Sequence, residues 1–113
     1  MTTLLVLYRR PDGGPDALAE FERRYAGEHL PLVADTPGLR ETTVQRVGEA
    51  LGGETDLVLV TAMRFDDREA LDAGLASDAM RAAGRNLREI APGLATFLVV
   101  EDATDLTGGP TDP

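Results

Sequence analysis

Cysteine, lysine and tryptophan are absent from this chain of 113 residues, and histidine, serine and asparagine each occur once. Without cysteine there is no disulfide, no thiolate nucleophile and no cysteine metal ligand. Without lysine there is no Schiff-base chemistry and no Walker-type phosphate lysine. The side chain best suited to proton transfer near neutral pH is therefore the single histidine, His29.

Basic charge is also scarce, because 20 acidic residues face 11 basic ones and the net charge is −9. Such a surface repels phosphate backbones, so we expect no nucleic-acid partner. No apolar run approaches the roughly 20 residues that a membrane helix needs, so we expect no membrane partner. The segment MTTLLVLYRRPDGG carries its positive charges after its short apolar part, unlike a secretory signal. The expectation is a cytoplasmic protein.

Several kinds of site have no sequence support. The chain contains no GxGxxG and no GxxxxGK[ST] motif, so we expect no nucleotide cofactor. One histidine with scattered carboxylates is a weak basis for a transition-metal site. Ser77, the only serine, reads as a helix N-cap and not as part of a Ser-His-Asp triad. We therefore predict neither a cofactor nor a metal.

Four segments have the alternation or the apolar content of β-strands. They are Thr3–Arg9, Leu39–Ala50, Asp56–Phe65 and Ala95–Glu101. The second is polar on both sides, which is typical of an edge strand or of a strand lining a wet cavity. One helical stretch begins at about Pro15, and another follows a cap at Asp66 and is interrupted by a second cap at Ser77.

The resulting order β-α-β-β-α-β is that of a ferredoxin-like sandwich, an α+β fold with a four-stranded antiparallel sheet. We expect one domain over residues 1–103 and an acidic, flexible tail, rich in Gly and Pro, over residues 104–113.

Three of the four predicted strands are apolar on both faces, yet two helices can cover only one face of such a sheet. The other face would expose more apolar area than monomers usually tolerate. Its simplest closure is against the same face of a second copy. We therefore predict a homodimer through the sheet face, which makes a dimeric α/β barrel.

The stretch GEHLPLV places the histidine two residues before a proline. Phe21 and Tyr25 lie on the apolar stripe of the first helix, and His29 continues that stripe at about 100° per residue. Pro31 lacks an N–H and disfavours helical geometry just before it, so we expect a kink or break over residues 27–31. Such a break would open a pocket beside the imidazole. From residue chemistry alone, a single histidine near a helix end is more often structural than catalytic.

Three motifs follow one another within the first 40 residues. An apolar strand runs into a basic loop, LLVLYRRPDG; a helix carrying Phe and Tyr ends in EHLPL; and PGL then leads into the second strand. In these motifs the chain resembles the EthD-like family, while its second half matches that family in pattern only. The resemblance implies a ferredoxin-like fold, a dimeric α/β barrel and a pocket between helices and sheet with His29 at or near it.

Members of that family are associated with degradation of ethers and other small organic molecules, or with aromatic polyketide tailoring. The resemblance thus implies a cofactor-independent enzyme, either a lyase or isomerase or an EthD-type oxidoreductase, acting on a compact hydrophobic oxygenated ligand. His29 would be its general acid or base, and Tyr25, Gln45 and Arg46 are candidate substrate contacts. Tyr25 also fits a core position, Arg46 a solvated charge, and the placement of Gln45 depends on the strand register.

Two other functions stay open. The first is a binding or accessory protein of the same fold that performs no chemistry. The second is an oxygenase, as in other dimeric barrels, and it has less support. Related haem-degrading proteins use a histidine on the second helix, where residues 67–90 contain none. Quinone-forming oxygenases commonly involve Trp and Asn, but Trp is absent, and the only asparagine, Asn86, can simply be an exposed residue.

Overall fold

The chain forms a four-stranded antiparallel sheet with its main helices packed on one face. A computed structural model describes residues 1–108. The strands are β1 (Thr2–Arg9), β2 (Glu41–Arg46), β3 (Leu57–Phe65) and β4 (Ala95–Glu101). They lie in the order β2-β3-β1-β4, and each neighbouring pair is antiparallel. The predicted α+β, ferredoxin-like fold is confirmed, and the polar strand β2 is at an edge.

Among residues 1–108 the chain contains six helical segments, two of which begin at a side-chain cap. They are α1 (Gly14–Arg24), a π-helical turn (Tyr25–His29), α2 (Leu30–Ala34), α3 (Arg68–Leu75), α4 (Asp78–Ile90) and α5 (Thr104–Thr107). Ser77 caps α4 as predicted, with Oγ accepting from a backbone N–H at 3.2 Å. The cap of α3 is Asp67, which accepts from Ala70 N–H at 2.8 Å. The prediction of Asp66 was wrong by one residue, because Asp66 pairs with Arg40 instead.

An aromatic cluster occupies the core between β1 and α1. Tyr8, Phe21 and Tyr25 have ring centroids 5.1 to 5.7 Å apart. Further along the sheet, α3 approaches Phe65 closely because Gly74 has no side chain. A Cβ on Gly74 would come within 2.8 Å of the Phe65 ring. The core therefore lies wholly on the helical side of the sheet.

The strand register separates two faces of the sheet. Val6 lies opposite Thr61 on one neighbour and Phe97 on the other, and this set faces the helices. The alternate set faces away from them and includes Leu5, Leu7, Val60, Ala62, Leu98 and Val100. Leu98 is 41% exposed. The helices therefore leave an apolar sheet face open, as the two-sided strands predicted.

The segment predicted as a flexible tail begins at Thr104. Its first residues form α5, a short exposed helix. The rest of that prediction, residues 109–113, lies outside the described part of the chain. Within residues 1–108, no helix combines the length and apolar character needed to cross a membrane.

Candidate functional site

A π-helical turn carries the histidine into the protein interior. The Leu30 N–H donates to the carbonyl of Tyr25, five residues earlier, and α2 then continues through Pro31 to Ala34. The helix is therefore widened at the proline and not broken, so the break that was one form of the prediction does not occur. A wider turn makes room for the proline ring, which in an ordinary helix clashes with the carbonyl four residues before it. Tyr25 and His29, at the two ends of the turn, are both buried.

His29 is held in an apolar environment that favours its neutral form. Its side chain is only 4% exposed, and its ring stacks on Tyr25 with centroids 5.1 Å apart and planes 29° from parallel. Burial lowers the pKa of His29, because the imidazolium would lose its hydration; Asn86 and the Ala83 carbonyl oppose this more weakly. The ring nitrogen Nδ1 is buried and has no hydrogen-bond partner among the described residues.

A cavity of about 180 Å³ adjoins the imidazole between the sheet and helices α2 and α4. Its lining is almost entirely apolar. The lining residues are Leu4, Val6, Tyr8, His29, Val33, Met63, Leu75, Met80, Ala83, Gly84, Leu87 and Phe97. Phe97 is 56% exposed and therefore marks the solvent side of the cavity. Because no charged side chain lines it, the imidazole is its main polar group.

Two tyrosine hydroxyls lie near the histidine, and they differ in their hydrogen bonding. The Tyr25 hydroxyl is 2.5 Å from Thr61 Oγ1, a hydrogen bond that either atom can donate. The Tyr8 hydroxyl is buried and meets no group in hydrogen-bond geometry. Burial, and then the neighbouring Tyr25 hydroxyl, raise the pKa of Tyr8 far above its usual range, so Tyr8 keeps its proton. Tyr8 lines the cavity, and its buried hydroxyl has the Tyr25 hydroxyl as its nearest polar neighbour.

Asn86 approaches His29 from helix α4, and a hydrogen bond to Glu28 orients its amide. Its Nδ2 donates to Glu28 Oε1 at 3.0 Å, and its Oδ1 is buried without a partner among residues 1–108. Glu28 in turn accepts from Arg24 at 2.9 and 3.0 Å, and Arg24 also donates to Glu89 at 3.0 Å. Asn86 is thus half-buried and part of a network, not a free surface amide.

Arg46 belongs to a second, polar cavity of about 220 Å³. Its guanidinium forms an ion pair with Glu22 at 3.0 Å, and Tyr25 lines this cavity as well. Gln45 lies opposite Val60 on the open sheet face, so its side chain points away from both cavities. The structure therefore brings Tyr25 next to His29, places Arg46 beyond Tyr25, and separates Gln45 from all three.

A known protein family matches most of the chain. Residues 17–99 match the EthD domain family. The chain belongs to the EthD family. The predicted family resemblance is confirmed, whereas a search of curated proteins gave no match.

Solved structures give the same fold for this EthD-family chain. An ethyl tert-butyl ether D family protein from Bacillus halodurans C-125 is 30% identical, with 90% of this chain and 98% of that chain covered and a TM-score of 0.80. A dimeric ferredoxin-like protein of unknown function from Bacteroides fragilis is 19% identical, with 89% and 95% covered and a TM-score of 0.65. SnoaB, a cofactor-independent oxygenase from Streptomyces nogalater, is 20% identical, with 90% and 92% covered and a TM-score of 0.64.

Two residues of this candidate site were missed from sequence. In the sequence, Tyr8 looked like one more member of a strand that is apolar on both faces. Its hydroxyl was a usable signal, because Tyr8 lies on the same strand face as Leu4 and Val6, which faces the helices. Asn86 gave no signal, because its partners come from a different helix.

Among residues 1–108, no group of three or more His, Cys, Asp or Glu side chains is arranged to hold a metal ion.

Proposed function

We propose that this EthD-family protein is a small-molecule enzyme in which His29 moves a proton on a ligand held in the apolar cavity. The observation that carries the proposal is the position of the single histidine, neutral and buried, on the wall of an otherwise apolar cavity. A neutral imidazole in a site of low polarity can act as a general base near neutral pH.

The size of the cavity points to a compact substrate. An apolar protein cavity of about 150 Å³ is large enough to bind benzene, so a cavity of about 180 Å³ suits a ligand with a single six-membered ring. The apolar lining favours a ligand without formal charge. We infer a cyclic ketone, lactone or similar oxygenated molecule as the substrate class.

The two polar groups of the cavity have complementary tasks in such a reaction. His29 takes a proton from the carbon next to a carbonyl, and negative charge builds up on the carbonyl oxygen. The Tyr8 hydroxyl donates a hydrogen bond to that oxygen as the charge develops. The imidazolium then returns the proton to another carbon, which isomerises the substrate, or to a departing hydroxide, which leaves as water.

Hydrogen–deuterium exchange of the α-protons of cyclohexanone in D₂O, followed by proton NMR, tests the first step directly. We expect the His29→Ala variant to lose on the order of 100-fold or more of the exchange rate. Arg46→Met is the matched control, because it alters the polar cavity and leaves the imidazole untouched. Binding of ketones by the wild type without exchange above the buffer rate would instead favour a binding or accessory protein.

We further propose that the working form is a homodimer joined through the open sheet face. This face is apolar and uncovered in a single chain. Structural neighbours are described as dimeric proteins, which supports the proposal. Burial of apolar surface of this kind drives association of identical subunits.

Adjacent residues of β4 provide a matched test of that interface. Leu98 lies on the open face and Val99 on the helical face, and they are 41% and 39% exposed. We expect Leu98→Asp to give a 12.1 kDa monomer by light scattering, because a charge would be buried at the interface. Val99→Asp adds the same charge on the other face and should leave the dimer intact. Equal effects of the two variants would contradict this placement.

A further inference from the structure

Among residues 1–108, two buried polar atoms on interacting side chains have no partner in hydrogen-bond geometry: Nδ1 of His29 and Oδ1 of Asn86. An amide oxygen can only accept, and each nitrogen of a neutral imidazole either donates or accepts, according to the tautomer. A proton on Nδ1 gives each of these two atoms a complementary partner. A proton on Nε2 leaves both atoms as buried acceptors without a donor, which is costly for buried polar groups.

The orientation of the Asn86 amide follows from its other neighbour. Its nitrogen is 3.0 Å from Glu28 Oε1. A carboxylate only accepts, so the amide NH₂ has to lie on that side and the amide oxygen on the other. Glu28 precedes His29 in the π-helical turn. The acid and the imidazole therefore lie on one turn, facing one residue of α4.

Glu28 is itself fixed by a fork of two hydrogen bonds from Arg24. Arg24 also reaches Glu89, three residues beyond Asn86 on α4. A continuous chain of polar contacts thus leads from Glu89 through Arg24, Glu28 and Asn86 towards His29. Such supporting contacts limit the number of geometries open to a functional side chain.

We propose that Asn86 is a positioning residue: it accepts from Nδ1–H of His29, fixes that tautomer, and leaves Nε2 as the basic nitrogen for the ligand in the cavity. This inference rests on the proposed function for its catalytic meaning, but the tautomer itself can be tested without any substrate. An amide, unlike a carboxylate, orients the ring without adding a charge that would favour the imidazolium.

The charged and titratable groups around the ring are consistent with a neutral imidazole that donates from Nδ1 and keeps Nε2 for the ligand. On the helical side, Glu28 is neutralised by Arg24, and Arg24 is shared with Glu89. On the sheet side, Tyr8 and Tyr25 keep their protons because burial raises the pKa of each. The Ala83 carbonyl also faces the imidazole and is the competing acceptor.

Because the chain contains one histidine, ¹⁵N-histidine labelling gives a single imidazole spin system. Long-range ¹H–¹⁵N correlation spectra then report its tautomer and its titration. We expect the Nδ1–H form to predominate in the wild type. In Asn86→Leu we expect a clear shift towards Nε2–H and a lower pKa, since the acceptor is lost. Asn86→Asp should raise the pKa, because the carboxylate stabilises the imidazolium.

Arg85→Gln is the control, because Arg85 is exposed on the same helix and does not belong to this network. It should leave the tautomer unchanged. An Nε2–H form in the wild type would overturn the proposal. So would an unchanged tautomer and pKa in a folded Asn86→Leu protein, which would make the Ala83 carbonyl the partner. If Asn86→Leu does not fold, an unchanged pKa in the isosteric Asn86→Asp protein would overturn it.

A failed cyclohexanone exchange test would leave these spectra interpretable, so the two proposals fail separately. Where exchange is detected, Asn86→Leu should lower its rate at saturating ketone with little change in ketone affinity. The pH at which exchange is half-maximal should move together with the pKa measured by NMR. A purely structural role for Asn86 would lower stability without that joint movement.

Discussion

Two cavities adjoin the stacked rings of Tyr25 and His29: Tyr25 lines the polar cavity, and His29 lines the apolar one. The cavities differ in whether their polar groups already have bonding partners. In the polar cavity, Arg46 and Glu22 neutralise each other, and the arginine side chain is 76% exposed. Exposed ion pairs of this kind contribute little energy and offer little unused bonding capacity. In the apolar cavity, the buried imidazole of His29 and hydroxyl of Tyr8 retain unused capacity.

The proposed site is therefore chosen by the state of the polar groups and not by the size of the cavity. The polar cavity is the larger of the two. Its charged groups, however, are hydrated and paired, so they would have to be separated before they could act on a ligand. An unpaired titratable group inside an apolar enclosure is the better indication of a functional site.

Filling each cavity in turn should have the largest effect. Gly84 lies between the apolar cavity and a neighbouring cavity of about 340 Å³ that Arg88 lines, and a Cβ there would meet only Arg88 Nη1, at 3.7 Å. In Gly84→Leu we expect cyclohexanone affinity, measured by NMR titration, to fall on the order of tenfold or more. The helix itself should become more stable by about 0.5–1 kcal/mol, because glycine is a poor helix former.

Ala26→Leu is the counterpart in the polar cavity. It introduces the same side chain on the other side of Tyr25 and should leave cyclohexanone affinity unchanged. The reverse pattern, with binding lost in Ala26→Leu and kept in Gly84→Leu, would exchange the roles of the two cavities. Thermal melts separate loss of binding from loss of fold.

Removing each tyrosine hydroxyl in turn should have a smaller effect. The quantity affected is the free energy of unfolding and not the affinity for the ligand. Tyr25→Phe leaves the buried Thr61 hydroxyl without its partner, which should cost about 1–3 kcal/mol in urea denaturation. Tyr8→Phe removes a hydroxyl that has no partner in hydrogen-bond geometry, so stability should stay the same or rise. Similar losses in both variants would show that Tyr8 has a structural bond of its own.

The sequence was sufficient for the fold because the fold depends on patterns that are local. Strand β4 was predicted over Ala95–Glu101 and is found there, since its ends are marked by glycine and by acidic residues. The inward position of His29 followed from helical spacing, and the π-helical turn preserved it. The form of that turn was not predictable from spacing, because it depends on how the chain accommodates the ring of Pro31.

The finer parts of the site depend on contacts between elements that are distant in sequence. Gln45 and Arg46 are neighbours, yet a strand sends them to opposite faces, so only the pairing register with β3 decides which one meets the helices. Asn86 acquires its position from Glu28, 58 residues away. Such relations carry no local periodicity, and a single sequence does not display them.

The smallest predicted effect concerns pH, and it also separates the two cavities. Because burial lowers the pKa of His29 below 6.5, the unfolded chain takes up this proton at a higher pH than the folded chain does. Stability due to His29 is therefore present above about pH 6.5 and falls as the pH drops from there towards the folded-state pKa. Arginine partners lower the pKa values of the Glu28 and Asp66 carboxylates. The stability that these carboxylates give the protein is therefore lost only below their ordinary pKa values of 4.5 and 3.8.

Chemical denaturation of the wild type should thus give a smaller free energy of unfolding at about pH 5.5 than at about pH 7.5. This loss should disappear in His29→Phe, which keeps an aromatic ring for stacking on Tyr25. Arg46→Met should retain the loss in full, because it removes an exposed ion pair with Glu22 and leaves the buried imidazole of His29 untouched. If His29→Phe retained the loss, the histidine would be charged in the folded protein. The apolar cavity would then no longer differ from the polar one in the way that makes it the candidate for proton transfer.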